Sequence, residues 1–211
     1  SFPTRRSSDL KLSGTALYEA ITVQLSELIH CEITVVCTRA PGAPDRMVPL
    51  ALSEDGEIQA NLDFLIDGNR IAAILDQGSC IIPAQLRHQY PAESYFVDKR
   101  IESLVGVPIT GSSGTRLGCL VAMSRRPLRH PERIDAILKL FALSVAADIE
   151  KQTTEQRMSD LVALAPDAIV ITDRDGIIVQ SNRQVTTVFG WTPDELSGQP
   201  VEVLIPAHLR A

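Results

Sequence analysis

Little in this chain advertises a chemistry. Aromatic side chains make up only 4% of its 211 residues. No stretch approaches the ~18 uninterrupted apolar residues that a membrane helix needs. Positive charge is not in excess either. The formal net charge of −6 and pI near 5.2 leave no overall field to attract nucleic acid or an anionic membrane. P-loop, G-x-S-x-G, H-E-x-x-H, kinase and cyclase signatures are all missing. The four histidines, His30, His88, His130 and His208, share no metal-ligand spacing, and none has the acidic helical setting of a phosphoacceptor. Cys31, Cys37, Cys80 and Cys119 form no C-x-x-C pair and lie in or beside apolar stretches. They read as small core fillers in a reducing compartment, which places the chain in the cytoplasm.

What remains is an ordinary globular composition. The chain is 45% hydrophobic and 22% charged, which excludes wholesale disorder and a disulfide scaffold. Its length suits one large domain or two small ones. Residues 1–10, with an Arg pair, three serines and no apolar period, read as a non-native, adapter-like segment, which would make the chain a piece of a longer protein.

Periodicity becomes informative from Leu12. Leu17, Ile21, Leu25, Leu28 and Ile29 predict an amphipathic helix over 14–30. The β-branched run 32–38 predicts a strand, Pro41–Pro44 a turn and Met47–Leu52 a second strand. Residues 69–76 carry a helical pattern, Cys80–Ile82 suits a short strand, and 84–100 is ambiguous. Two apolar runs around Gly111-Ser-Ser-Gly114 predict a hairpin over 101–123. Pro131 then opens a helix whose stripe is Ile134, Leu138, Phe141, Val145 and Ile149. The stripe's 4-3-4-4 spacing suits packing against the 14–30 helix of the same domain and the same helices of a second chain, so a homodimer through helices 14–30 and 131–150 is expected, Val145 lying in its seam.

This order, with Tyr90-Pro91-Ala-Glu93, the segment Ile101-Glu-Ser-Leu-Val-Gly-Val-Pro-Ile109, the Gly114 turn, Leu117-Gly118 and Pro127-Leu128, resembles a GAF domain over residues 11–151. Arg100 departs from that pattern, which usually has Gly or another small residue there. Residues 150–160 form a polar helical connector. From Met158 a second resemblance begins. Pro166-Asp167-Ala, Asp173-x-x-Gly176, Asn182, Phe189-Gly190-Trp191, Glu195-Leu196, Gly198 and Leu204-Ile205-Pro206 are similar to the first half of a PAS domain, 157–211, truncated at its C-terminus. In that segment Asn182 is expected to cap a helix, and Thr192-Pro193-Asp-Glu195 has the form of a capping box. The fold class expected is α+β, two domains, each an antiparallel sheet with flanking helices.

The two resemblances imply a sensory module of a signal-transduction protein, the input region of a sensor histidine kinase or diguanylate cyclase. The output domain would lie downstream in the same chain, and the residues present would have no catalytic role. If the GAF-like part binds a small molecule, its wall is expected in the variable 80–100 region, with Cys80, His88, Tyr95 and Phe96 the candidates by type. Cofactor identity stays open. A bilin is not expected, because His30 precedes Cys31 at a helix-to-strand junction, and a haem ligand on the PAS-like part would fall past Ala211. No metal site, nucleic-acid partner or membrane segment is expected, and Arg125-Arg126-Pro-Leu-Arg129 reads as a solvated basic loop. The competing reading is a GAF-fold enzyme resembling methionine sulfoxide reductases, which would use Cys80 and Cys119.

Overall fold

The structure, a computed structural model, describes residues 13–40, 42–60 and 78–205. The chain divides into two compact units between Glu150 and Lys151. The fold is α+β. In the first unit α1 (Thr15–Ile29) precedes β1 (Ile33–Ala40), β2 (Ala43–Glu54) and β3 (Glu57–Ile58). After β4 (Cys80–Ile82) come two short helices, α2 (Leu86–Gln89) and α3 (Ser94–Asp98). The hairpin β5 (Ser103–Thr110) and β6 (Arg116–Ser124) leads into α4 (Pro131–Leu164). The six strands form one antiparallel sheet in the order β3-β2-β1-β6-β5-β4.

Side chains alternate across this sheet, as a pleated strand requires. Ile33, Val35, Cys37, Cys119, Val121 and Met123 point into one cluster, with Leu86 and Phe96 of the short helices laid over it. Val36, Leu120 and Ala122 point into a second, packed against α1 and the first part of α4. Central strands β1 and β6 are therefore buried on both faces, which is why their sequences are runs of apolar residues rather than alternating ones. At Gly118 the two strands come close enough that a Cβ would meet the Cys37 carbonyl oxygen at 2.0 Å.

The α4 stripe is used inside the unit. Leu138 and Val145 are fully buried, and Phe141 and Ile149 pack against the same cluster as Tyr18, Ile21 and Leu25 of α1. Val145 thus belongs to a core rather than to an open seam. The large apolar residues that α4 leaves exposed in this unit are Leu140 and Leu143, both at 67%. Two carboxylates fix the end of this stretch. Asp148 accepts hydrogen bonds from the Tyr18 hydroxyl (2.8 Å) and the Gly14 amide (3.0 Å), and Glu150 accepts from the amide and hydroxyl of Ser112 at 2.8 and 2.9 Å. Burial and the adjacent Asp148 hold the Tyr18 hydroxyl far above the usual phenol range.

Several expectations need adjustment. The second strand starts at Ala43, which pairs with Ala40, four residues earlier than its apolar run. The ambiguous 84–100 stretch resolves into α2 and α3, too short for helical periodicity to show. The helical pattern at 69–76 lies outside the described residues. The polar connector continues α4 without a break to Leu164.

In the second unit β7 (Val170–Thr172) and β8 (Ile178–Ser181) form a two-stranded sheet. Asp173 Oδ1 accepts from the amides of Asp175 and Ile177, and Gly176 at φ +79° completes the turn. Helices α5 (Gln184–Phe189) and α6 (Pro193–Leu196) and a 3-10 turn (Val201–Leu204) follow, around a core of Ile178, Val185 and Leu196. The capping box at Thr192 and Glu195 is formed. Hydrogen bonds from the Thr192 backbone and side chain hold the Glu195 carboxyl below its ordinary range. Asn182 does not cap α5. Its Oδ1 accepts from the Ile169 amide at 3.0 Å, while its Nδ2 donates to the carbonyls of Asp167 (2.8 Å) and Ala165 (3.4 Å). An amide can satisfy donor and acceptor together, so it serves here as a buried tie between the end of α4 and β7.

Candidate ligand pocket and comparisons with known folds

Of the four residues proposed from sequence, three share one place. Cys80 on β4 (3% exposed) and Phe96 on α3 (4% exposed) belong to the cluster on the first sheet face, and Tyr95 packs against it. Tyr90 packs there too and meets Phe96 edge to face, as Tyr95 does, each pair with ring centroids 6.4 Å apart at 76°. His88 stands exposed on α2 and does not join them. The arrangement is an aromatic lid packed over one apolar face of the sheet.

Electrostatics fasten the lid. Glu54 at the end of β2 accepts from Lys99 Nζ at 2.7 Å and from Arg125 Nη2 at 2.6 Å, and Arg125 Nη1 pairs with Asp55 at 2.8 Å. Arg125 Nε also donates to the Lys99 carbonyl, 3.3 Å away. The loop after α3 is thereby tied to the ends of β2 and β6. Burial first, then the Glu54 charge, pushes the Tyr95 hydroxyl far up, with Arg125 opposing. This network corrects the reading of Arg125 as solvated. Sequence alone did not reveal it, because its charges come from three segments that meet only through the sheet register.

Backbone geometry accounts for two residues of the motif. Arg100 sits at φ +55°, the left-handed region where a side chain costs energy and Gly does not. Ser103, fully buried, donates its hydroxyl to the Arg126 carbonyl at 2.6 Å and so anchors the loop after β6.

All four cysteines are buried and unpaired. Burial, helped by the neighbouring Glu32, pushes the Cys31 thiol up to about 12. Burial raises Cys80 as well. Cys37, directly opposite Cys119 across β1 and β6, is raised by the hydrogen bond with that partner and by its enclosure. Reactive thiols show the reverse, a depressed pKa with partial exposure. Cys31 also packs on the helical face, away from Cys80. Among the described residues no group of His, Cys, Asp and Glu is placed to hold a metal ion, and no helix is long and apolar enough to cross a membrane.

The sequence of residues 156–210 matches the model of the PAS fold. No curated protein matches the chain. Solved structures do. The GAF domain of an Acinetobacter phosphoenolpyruvate-protein phosphotransferase superposes with a TM-score of 0.56 at 12% identity, covering 71% of this chain and 89% of that one. The GAF domain of the cyanobacteriochrome TePixJ gives 0.54 at 15% identity, with 71% and 98% covered. A Synechocystis sp. PCC6803 GAF domain in its photoproduct state gives 0.54 at 13%, with 67% and 96% covered. At such identities the likeness is one of fold. The chain therefore combines the GAF fold, built on its six-stranded sheet, with a following segment that matches the PAS family.

Proposed function

We propose that the chain is a sensory and regulatory module, in which a small molecule held under the α2–α3 lid alters the first unit and the change passes along α4 to the second. The observation that carries this reading is the single 34-residue helix that closes the core of one unit and opens the other. Within that reading the residues present do no catalysis. A downstream output domain, a histidine kinase or diguanylate cyclase in the same cytoplasmic chain, receives the signal. The unit works as a homodimer through α1 and the first part of α4, using the exposed Leu140 and Leu143 rather than the buried stripe. GAF domains of photoreceptors among the fold neighbours support a sensory role by analogy of fold.

The test is a thermal-shift screen of the chain with bilins, haem and cyclic nucleotides, followed by hydrogen exchange with any stabilising compound. The expected result is protection at 80–100 together with altered exchange over 151–164. Methionine sulfoxide is run in parallel with a thiol reductant. Turnover that disappears in Cys80→Ser or Cys119→Ser would overturn the non-catalytic reading.

A further inference from the structure

The basic stretch after β6 does two jobs. Arg125 is spent on the lid network, whereas Arg126 and Arg129 turn toward the other side of the sheet. There, with Arg133 of α4 and His30 at the end of α1, they rim a cavity of about 510 Å³. Its walls include the apolar side chains of Leu28, Ile134 and Ile137. In a chain of net charge −6, three arginines around one concavity are a local reversal of the overall field. The nearby carboxylates neutralise only part of it. Glu32 faces Arg126 at 3.8 Å and Glu132 faces His130 at 3.4 Å, while Arg129 and Arg133 have no ion-pair partner among the described residues.

The loop that carries these charges is held in place. Buried Ser103 donates to the Arg126 carbonyl at 2.6 Å, Ser124 Oγ accepts from the Arg126 amide at 3.1 Å, and the Leu128 amide donates to the Pro83 carbonyl at 2.9 Å. A fixed backbone lowers the ordering cost that a flexible arginine loop would incur on binding. Guanidinium groups match phosphate oxygens in pairs, and the volume falls in the range of small-molecule sites.

We propose that this cavity binds a small phosphate-bearing organic anion, its charge on Arg129 and Arg133 and its body against Leu28, Ile134 and Ile137. This goes beyond the sensory reading, because the cluster under the lid lies on the opposite face of the sheet. A ligand here touches the end of α1, the loop after β6 and the start of α4 at once, so its occupancy would set how firmly the helical layer is joined.

The probe is trinitrophenyl-ATP, an aromatic body carrying a triphosphate, titrated into the full chain by fluorescence, with inorganic pyrophosphate as competitor. The expected result is binding displaced by pyrophosphate and weakened at least about a hundredfold in Arg129→Ala/Arg133→Ala, since two charge-assisted contacts are lost together. Both residues are exposed, so the melting curve of that variant should match wild type. The control Arg174→Ala/Arg183→Ala, in the second unit, should bind as wild type. Equal binding by both double variants, or no displacement by pyrophosphate, would show that the arginines are merely solvated. Capture by phosphatidylglycerol vesicles without binding of the soluble probe would assign the patch to a lipid surface and overturn the proposal.

Discussion

Two glycines in the same hairpin should respond to alanine in different ways. At Gly118 the added Cβ would stand 2.0 Å from the Cys37 carbonyl oxygen and 2.9 Å from the Cys37 carbonyl carbon and the Thr38 Cα, all backbone atoms of a central strand. No side chain can swing aside to relieve that overlap, so β1 and β6 must part by an ångström or more. The pairs nearest the clash are Cys37↔Cys119 and Thr38↔Gly118. Losing about two ladder hydrogen bonds at about 1 kcal/mol each, and leaving one buried polar group unsatisfied at about 1–3 kcal/mol, gives a cost of about 3–5 kcal/mol. Gly114 has φ +82° and nothing within 4 Å of the same position. Its alanine meets only the left-handed backbone penalty of about 1–2 kcal/mol, partly offset by a stiffer unfolded chain, a net of about 1 kcal/mol. Because the chain has two units, one fitted unfolding curve would mix them. Peptide-resolved hydrogen exchange of β1 and β6 against urea isolates the first. If Gly118→Ala costs within about 1 kcal/mol of Gly114→Ala, the close approach of the two strands is wrong.

Val145→Asp, which from sequence would split a dimer, should instead unfold the first unit, because a carboxylate at a fully buried core position costs several kcal/mol; circular dichroism distinguishes the two outcomes. Leu140→Asp/Leu143→Asp should leave the melt unchanged and shift light scattering at tens of micromolar from dimer to monomer, and an unshifted mass would remove the proposed interface. Asn182→Ala should destabilise the second unit by about 2–3 kcal/mol, the sum of its buried bonds to Ile169, Asp167 and Ala165, read from exchange of the β7 amides. The Cys31 thiol has a folded pKa of about 12 against an ordinary 9.0. Its contribution is thus complete below about pH 9 and lost as pH climbs toward about 12, so the urea midpoint of the first unit should fall across that alkaline range and hold steady from about pH 6 to about pH 8.

Much of the fold was legible because its signals are local. The helix at 15–29, the hairpin around Gly114 and the capping box at Thr192 each depend on residues within a few positions of one another. The site was less so. Tyr95, Phe96 and Cys80 could be chosen by type and region, but His88 is in the same region and faces solvent, a choice that four residues of helix cannot reveal. The Glu54–Lys99–Arg125 network was hidden for another reason, since its members are 45 and 71 residues apart and meet only once the strand order is known. Asn182 misled because its residue type suits a cap as well as a tertiary tie, and only the positions of Ala165 and Asp167 decide between them.

The two carboxylates at the end of the first unit give α4 a defined angular phase. Asp148 and Glu150 lie two residues apart, about 200° around the helix, so the grips that α1 and the β5–β6 turn place on it come from nearly opposite directions. A helix held that way can neither roll nor tilt freely at Glu150. Inserting one residue after Glu150 would leave both grips intact while rotating every later side chain of the helix by about 100°.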